Sequence, residues 1–336
     1  MNNQTISLEF SHFPVMLNEI IKISTPAKGG TFIDCTFGGG NYSKQLLKFS
    51  KTVVKGLDRD NKVKEIGKTL EKNFPHRFKF YQTKFSKIDT ITKDLVDVII
   101  FDLGLSSIQL NDLERGFSFK SNENLDMSMG LNKFSAQDAI NKLSELELKS
   151  IIKIFGEEIE ASRIAKNIVK SREEKKIIKV KDLVDIIKKS KKKNYASKIN
   201  PCTKTFQALR MFVNKEITEL INGIINATKI LKPGGKILIV SFHSIEDKIV
   251  KYFFSNFSSN KSKPSRYLPE QDETSAILFN EYKNKVLKPS KKEINQNNRS
   301  RSAKLRYAIR SKNKFSHPHE LINKFKIYLD LEAIDV

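Results

Sequence analysis

Thr31-Phe-Ile-Asp-Cys-Thr-Phe-Gly-Gly-Gly-Asn-Tyr-Ser43 decides the fold, because it sets a carboxylate at a strand end just ahead of a glycine loop. Phe32 and Ile33 form a short apolar strand that ends at Asp34. Gly38, Gly39 and Gly40 then let the backbone turn sharply and come close to a ligand. A phosphate-binding loop uses bare backbone N–H groups and keeps negative charge away. Asp34 suits the opposite ligand, one with a cationic end such as the ammonium of a methionine moiety. A second strand, Val53-Val-Lys-Gly-Leu-Asp58, closes on another carboxylate 24 positions later, about the spacing at which an acidic side chain meets ribose hydroxyls in dinucleotide folds. The pair describes a nucleoside site with an amino-acid tail, and S-adenosylmethionine fits that description.

Outward from this stretch the chain alternates strands and helices as far as Ser107. Strands are predicted at 31–35, 52–57, 77–82 and 96–103, with short amphipathic helices at 43–49 and 60–72. The fourth strand, Val96-Asp-Val-Ile-Ile-Phe-Asp102-Leu, is almost continuously apolar, as in a parallel sheet covered on both faces. This rhythm predicts a doubly wound α/β sheet with ligands outside the carboxyl ends of its strands. From Asn111 to Lys198 helical periodicity takes over. Ser135-x-x-Asp138 and Ser144-x-x-Glu147 read as capping boxes, and Leu148, Ile151, Ile152 and Phe155 as the core of a small helical unit. Lys188-Lys-Ser-Lys-Lys-Lys193 at its far end is either an RNA-facing edge or a solvated loop.

A long helix from Thr205 to Leu231, stopped by Lys232-Pro-Gly-Gly235, precedes another buried strand, Lys236-Ile-Leu-Ile-Val-Ser-Phe-His243. A polar loop over 256–300 and a last strand over 303–310 complete the expectation. The economical architecture is one α/β domain carrying a helical insertion. Residues 1–110 form its first part, 111–204 an inserted substrate domain, 205–312 its second part and 313–336 a C-terminal tail.

The bulk numbers agree. Lys and Arg number 61 against 38 Asp and Glu, a net charge of +23 that favours a polyanionic partner through counterion release. Part of that surplus reflects a composition rich in Lys, Asn and Ile throughout. Cys35 and Cys202 cannot build a disulfide framework or a four-thiolate metal site. With no signal peptide and no transmembrane run, the expectation is a reduced, cytoplasmic protein without membrane contact and without a metal. Oligomeric state is not legible.

Phe101-Asp-Leu-Gly-Leu-Ser-Ser-Ile-Gln-Leu110 ends the fourth strand, where a doubly wound sheet places its reacting groups. Here the chain resembles the bacterial 16S ribosomal RNA cytosine-N4 methyltransferases. The matching segments include His12-Phe-Pro-Val-Met-Leu17, Asp34-Cys-Thr-Phe-Gly-Gly-Gly40, Asp58-Arg-Asp60, Asp102-Leu-Gly-Leu-Ser-Ser107 and Arg115-Gly-Phe-Ser-Phe119. They continue with Leu125-Asp-Met127, Gly156-Glu-Glu158, Thr205-Phe-Gln-Ala-Leu-Arg210, Ser241-Phe-His-Ser-Ile-Glu-Asp247 and Arg301-Ser-Ala-Lys-Leu-Arg306, in register over nearly the whole chain.

The resemblance implies a class I methyltransferase fold with a helical insertion. It also implies S-adenosylmethionine as methyl donor and a decoding-site cytidine of 16S ribosomal RNA, in the small ribosomal subunit, as target. Carried over by motif, the cofactor contacts are Gly40, Asn41, Tyr42, Asp58, Phe85, Asp102 and Gln109, and the residue reading adds Asp34. Asn41 and Tyr42 stand where relatives commonly have Gly and His, and Ile108 where Pro is frequent. Ser128, Gly130, Asn200 and Lys204 depart from Arg, Asp, His and Arg in substrate-facing segments.

Methyl transfer from a sulfonium needs in-line positioning more than acid catalysis. The cytosine N4, whose lone pair is delocalised, benefits from an acceptor for its proton. Asp102 holds that slot, with Ser106 and Ser107 as orienting groups, although the resemblance gives the same Asp to the cofactor. The base must leave its stack to react. Phe117 and Phe119 either stack on it or belong to the core, and His243 either lines the cleft or is a hydrogen-bonded core histidine. Two rivals remain open at this stage. A nicotinamide-dependent oxidoreductase shares the sheet but wants a clean G-x-G-x-x-G. A non-catalytic RNA-binding protein leaves the strand-end carboxylates without a task.

Overall fold

The computed structural model describes residues 14–132, 134–191, 200–260 and 276–334. His12 and Phe13 of the first motif, and Lys192 and Lys193 of the lysine run, lie outside the described residues. The chain runs α1 (Leu17–Ser24), β1 (Gly30–Asp34), α2 (Asn41–Leu47), β2 (Thr52–Asp58), α3 (Lys64–Asn73), β3 (Phe78–Gln82), β4 (Val96–Asp102) and α4 (Ser107–Asn111). A helical stretch follows: α5 (Ala136–Lys142), α6 (Glu145–Ile154), α7 (Ala161–Glu174) and α8 (Val180–Ser190). The sheet resumes after α9 (Thr203–Asn214) and α10 (Glu216–Ile230), with β5 (Leu231–Ser241), α11 (Ser244–Asn256), α12 (Lys291–Gln296) and β6 (Lys304–Ile309). Two short helices, α13 (His319–Lys324) and α14 (Lys326–Glu332), close the chain.

The strands form one sheet in the order β3-β2-β1-β4-β5-β6, parallel except for β6, which runs antiparallel to β5. The order reverses between β1 and β4, and a crevice opens at such a switch point. Alternation along each strand buries both faces. Phe32, Val98, Ile100, Leu238 and Val240 pack towards α1–α3, while Ile33, Ile99, Phe101, Ile237 and Ile239 pack towards α10, α11 and the helical stretch. Each such buried side chain is worth about 1.5–3 kcal/mol. The expected α/β class is therefore observed, with each predicted strand in its place.

Both capping boxes form: Ser135 Oγ accepts from the Asp138 N–H at 3.1 Å, and Ser144 Oγ from the Glu147 N–H at 3.3 Å. Leu148, Ile151, Ile152 and Phe155 are fully buried, as their spacing predicts.

Three expectations are corrected. The single helix over 205–231 is two, broken at Lys215, whose φ is 50°. Asn214 fixes the break: its amide donates to the Met127 carbonyl at 2.8 Å and its Oδ1 accepts the Met129 N–H at 2.7 Å. The second helix ends at Ile230, just ahead of Lys232-Pro-Gly-Gly235 as expected, but that segment is a bulge inside β5, which starts at Leu231 and not at Lys236; pairing steps from Val96–Leu231 to Val98–Lys236. Of the stretch over 256–300, residues 261–275 lie outside the described residues, and the rest is not all loop, since α12 falls within it. Leu278, Phe279 and Tyr282 are buried against α11, with Phe253 and Phe254 each 5.2 Å from the Phe279 ring.

The segment after β6 is also built into the fold. Glu332 of α14 accepts the Ile217 and Thr218 N–H groups at 2.9 and 2.7 Å, so it caps the α10 start that the break at Lys215 leaves open. Among the described residues no helix is long and apolar enough to cross a membrane.

Candidate active site

A cavity of about 960 Å³ opens at the carboxyl ends of β1, β2, β4 and β5. The glycine loop forms one wall. Gly38 and Gly40 adopt φ of 49° and 70°, and a Cβ on Gly40 would stand 2.7 Å from the Phe37 ring. The loop therefore lies flat, with Gly38, Gly39, Asn41 and Tyr42 facing the cavity and Gly40 one layer behind. The Gly38 N–H donates to Asp58 Oδ2 at 2.8 Å, and the Asp60 N–H to Asp58 Oδ1 at 2.9 Å. Asp58 lines the cavity at the end of β2, and burial raises its pKa against those two hydrogen bonds.

Asp34 is not where the sequence reading set it. Its carboxylate is fully buried beneath the loop, accepting from Ser43 Oγ at 2.8 Å and the Thr36 N–H at 3.4 Å, and it does not line the cavity. The side chain of a strand's last residue alternates with its neighbours, and here the pleat turns it under α2. Burial pushes it up to about 6. From there it acts on Asp102 instead of on a ligand.

Asp102 lines the cavity at the end of β4, and its N–H donates to Thr36 Oγ1 at 2.8 Å. Burial, and next the charge of Asp34, push its carboxyl up to about 8, against a hydrogen bond with Tyr42. Its Oδ1 is buried with no hydrogen-bond partner. The Tyr42 side chain is 4% exposed and its hydroxyl donates to the Val15 carbonyl, so it braces Asp102 from beneath.

Ser106 caps α4 in a closed box with Gln109: the Gln109 N–H donates to Ser106 Oγ at 3.3 Å, and the Ser106 N–H to Gln109 Oε1 at 3.0 Å. Gln109 Nε2 donates to Asp60 Oδ2 at 2.9 Å, which Arg115 also grips at 2.5 Å. Burial would raise Asp60, but the hydrogen bonds from Arg115 and Gln109 outweigh it and hold the carboxyl below its ordinary range. Ser107 begins α4; its side chain is outside the described set. Phe85 stands edge-on to Phe101, ring centroids 5.4 Å apart, and presents its other side to the cavity.

Phe117 is 7% exposed, with the Arg115 guanidinium 5.2 Å above its ring, and Phe119 packs edge-on against Phe206. Neither lines the cavity: Phe117 belongs to the core, and Phe119 is partly buried against it. His243 does line it, together with Arg210, Glu216 and Glu246, to which the sequence reading attached no chemistry. Arg210 and Glu246 stand inside quoted motifs, a signal that was present. Glu216 follows the left-handed turn at Lys215, which no sequence pattern announces.

The cavity floor is acidic in a protein of net charge +23: Asp58 and Asp102 face it and Asp34 underlies it. Carboxyl groups so grouped favour a cationic guest, which lowers the cost of ionising them. The donor set fits S-adenosylmethionine, with an unpaired acceptor at Asp102, a second strand-end carboxylate at Asp58 and an apolar wall at Phe85.

Comparison with known proteins gives the family. The MraW methylase family matches residues 9–311. The ribosomal RNA small subunit methyltransferase H of Bartonella bacilliformis is 42% identical over 300 residues, covering 89% of this chain and 90% of that protein. Its namesakes from Parvibaculum lavamentivorans and Brucella ovis are each 38% identical, over 304 and 318 residues; they cover 89% and 93% of this chain, and 89% and 91% of their own lengths. A match that spans both halves of the sheet and everything between them leaves one conclusion: the chain belongs to the MraW methylase family.

Proposed function

We propose that this chain methylates N4 of a cytidine in the decoding region of 16S ribosomal RNA, using S-adenosylmethionine, on the small ribosomal subunit. The family and the names of its relatives carry the reaction class. One structural observation carries the site: the buried, unpartnered Oδ1 of Asp102 at the edge of an acid-floored cavity.

When bound, the cofactor supplies an activated methyl group on a positively charged sulfur. Asp58 at the end of β2 is suited to the ribose hydroxyls, and Phe85 to the adenine face. Asn41, Tyr42 and the loop peptides, with Gly40 shaping the turn from behind, form the cradle, and Gln109 holds its rim through Asp60. Asp102 accepts the N4 proton, and Ser106 at the head of α4 orients it, with Ser107 beside it in the chain. Burial, and next the charge of Asp34, resist the ionisation of Asp102, so a cationic guest is what frees the carboxylate to act as a base.

The surplus of 23 positive charges supports RNA contact through the phosphates. The helices between β4 and α9, the inserted unit of 111–204, are the substrate-facing part of this reading. A substrate of this kind puts the protein in the cytoplasm.

The test is methyl transfer from labelled S-adenosylmethionine to small subunits that lack the modification, followed by mass spectrometry of the nucleosides. N4-methylcytidine is the expected product. Label in any other nucleoside, or none, rejects the reading.

A further inference from the structure

The first turn of α10 sets a buried acid on the cavity that the reaction leaves without a task. Glu219 lines the cavity and is 7% exposed. A carboxylate in a first turn suits the helix dipole, but an exposed one would do so without the cost of leaving water. Its charge is only loosely met. Lys84 Nζ stands 3.6 Å from Oε1, beyond hydrogen-bond range, and among the described residues no hydrogen bond ends on the Glu219 side chain. Arg59 feels its charge but turns its guanidinium to the Asn214 carbonyl at 3.1 Å. An acceptor so placed at a cavity wall is suited to a donor that arrives with the ligand.

The neighbours of Glu219 say which donor. Glu219, Gly223 and Asn226 share one face of α10, four and three residues apart. That face runs along the segment after β3. Lys84 meets Glu219, a Cβ on Gly223 would lie 2.6 Å from the Phe85 ring, and Asn226 Nδ2 donates to the Ser86 carbonyl at 2.7 Å. The carboxylate therefore borders the ring assigned to the adenine face, and both line the cavity. The ribose end joins the same wall: the Thr83 N–H donates to the Asp58 carbonyl at 3.0 Å, and Thr83 also lines the cavity. With the sugar at Asp58 and the base on Phe85, the base edge remote from the sugar meets Glu219. In adenine that edge carries the exocyclic N6 amine. The segment just after β3, Thr83-Lys-Phe-Ser86, has no acid of its own to receive it.

We infer that Glu219 is a specificity-determining residue whose carboxylate accepts a hydrogen bond from the N6 amine of the adenine on Phe85. This rests on Phe85 as the adenine wall and adds the group that selects the base. Hypoxanthine has a carbonyl oxygen in place of that amine, so an inosyl compound sets acceptor against acceptor and leaves both unpaired.

Calorimetry on the full chain compares S-adenosylhomocysteine with S-inosylhomocysteine for wild type, Glu219→Gln, Glu219→Ala and Phe85→Leu. Wild type should bind the inosyl compound about 10- to 100-fold more weakly. Glu219→Gln, whose amide offers N–H as well as C=O, should bring the two affinities within about threefold. Glu219→Ala should lose about tenfold on the adenosyl compound and little on the inosyl one. Phe85→Leu should weaken both compounds alike and keep the preference, because it removes stacking and not the group that reads the base.

No preference in wild type, or a full wild-type preference in both Glu219 variants, overturns the inference. An equal loss on both compounds in those variants overturns it too, and assigns Glu219 to the folding of α10. Should Glu219→Ala fail to fold, Glu219→Gln, which keeps the shape of the side chain, carries the test alone. Wild-type affinity in Phe85→Leu removes the adenine wall and the inference with it. A loss there beside an undiminished preference in Glu219→Gln leaves the wall standing and removes Glu219 alone.

Discussion

Replacing Asp102 with Asn should destroy activity and stabilise the cofactor-free protein, and both effects follow from one geometry. Asp102 titrates near 8 in the fold, against an ordinary value of 3.8, because it is buried above Asp34. Folding at neutral pH therefore requires the side chain to take up a proton that the unfolded chain does not hold. A raised carboxyl pKa contributes stability that is whole below pH 3.8 and has been lost once pH passes 8. At about 1.36 kcal/mol per pH unit, the ceiling at pH 7 is about 4 kcal/mol. Cavity water screens the group, and halving the ceiling leaves about 2 kcal/mol.

Asn carries no such cost. With melting points shifting about 2 °C per kcal/mol in a chain of this length, Asp102→Asn should melt about 4 °C above wild type at pH 7. The gain should shrink to about 2 °C at pH 5, where the cost itself is small. Methyl transfer should fall on the order of 100-fold or more, since the acceptor for the N4 proton is gone. Differential scanning fluorimetry across pH 5–8 and a labelled-methyl assay read both. A gain of the same size at pH 5 and pH 8, or a lower melting point at pH 8, refutes the electrostatic argument. Wild-type turnover by the variant refutes the site.

The same carboxyl makes cofactor binding pH-dependent. A cationic guest lowers the Asp102 pKa, so binding at pH 7 should release up to one proton and tighten by at most tenfold per pH unit until about pH 8. Calorimetry in buffers of different ionisation enthalpy measures the release, and zero release rejects contact between the cation and Asp102. Asp58→Ala removes the partner of the Gly38 N–H as well as the acceptor proposed for the ribose. Affinity for S-adenosylmethionine should drop about 10- to 100-fold while RNA binding persists, and unchanged affinity takes Asp58 out of the site. In Gly223→Ala the new Cβ would lie 2.6 Å from the Phe85 ring. The ring must shift, with a stability loss of about 1–3 kcal/mol and weaker cofactor binding; full affinity would mean that Phe85 is not the adenine wall.

What was legible in the sequence was whatever a local pattern dictates. The strand of Phe32 and Ile33, the apolar run to Phe101 and the two serine caps all form as their periodicity and hydrogen-bonding chemistry require. Features set by distant partners were not legible. The break at Lys215 depends on Asn214 reaching Met127 and Met129, some 85 residues away in sequence. The capping of α10 depends on Glu332, 115 residues from Ile217. Helices of six and seven residues, such as α13 and α14, are too short to declare a period. Leu278, Phe279 and Tyr282 did give a signal, an aromatic-rich patch in a polar run, and the loop reading over 256–300 passed over it.

Asp34 marks the limit of motif reasoning in the site itself. A carboxylate before a glycine loop was the correct clue to a cationic ligand, but the proposed contact was one layer too direct. Strand alternation turns Asp34 inward, where it meets Ser43 and the underside of Asp102. An acid at the surface of the cavity would ionise freely and attract the cofactor without changing state. Burial, with an acid beneath the floor, favours the protonated form of Asp102 until positive charge arrives, so on the proposed reading its ionised fraction rises with cofactor occupancy. On this view Asp34→Asn separates attraction from activation. Asp102 should then titrate lower and ionise without a guest, and the proton released on cofactor binding at pH 7 should decrease. The cavity wall itself is untouched, because Asp34 does not form part of it. Proton release at the wild-type level in that variant would mean that burial alone sets Asp102, and that the carboxylate under the loop only anchors Ser43.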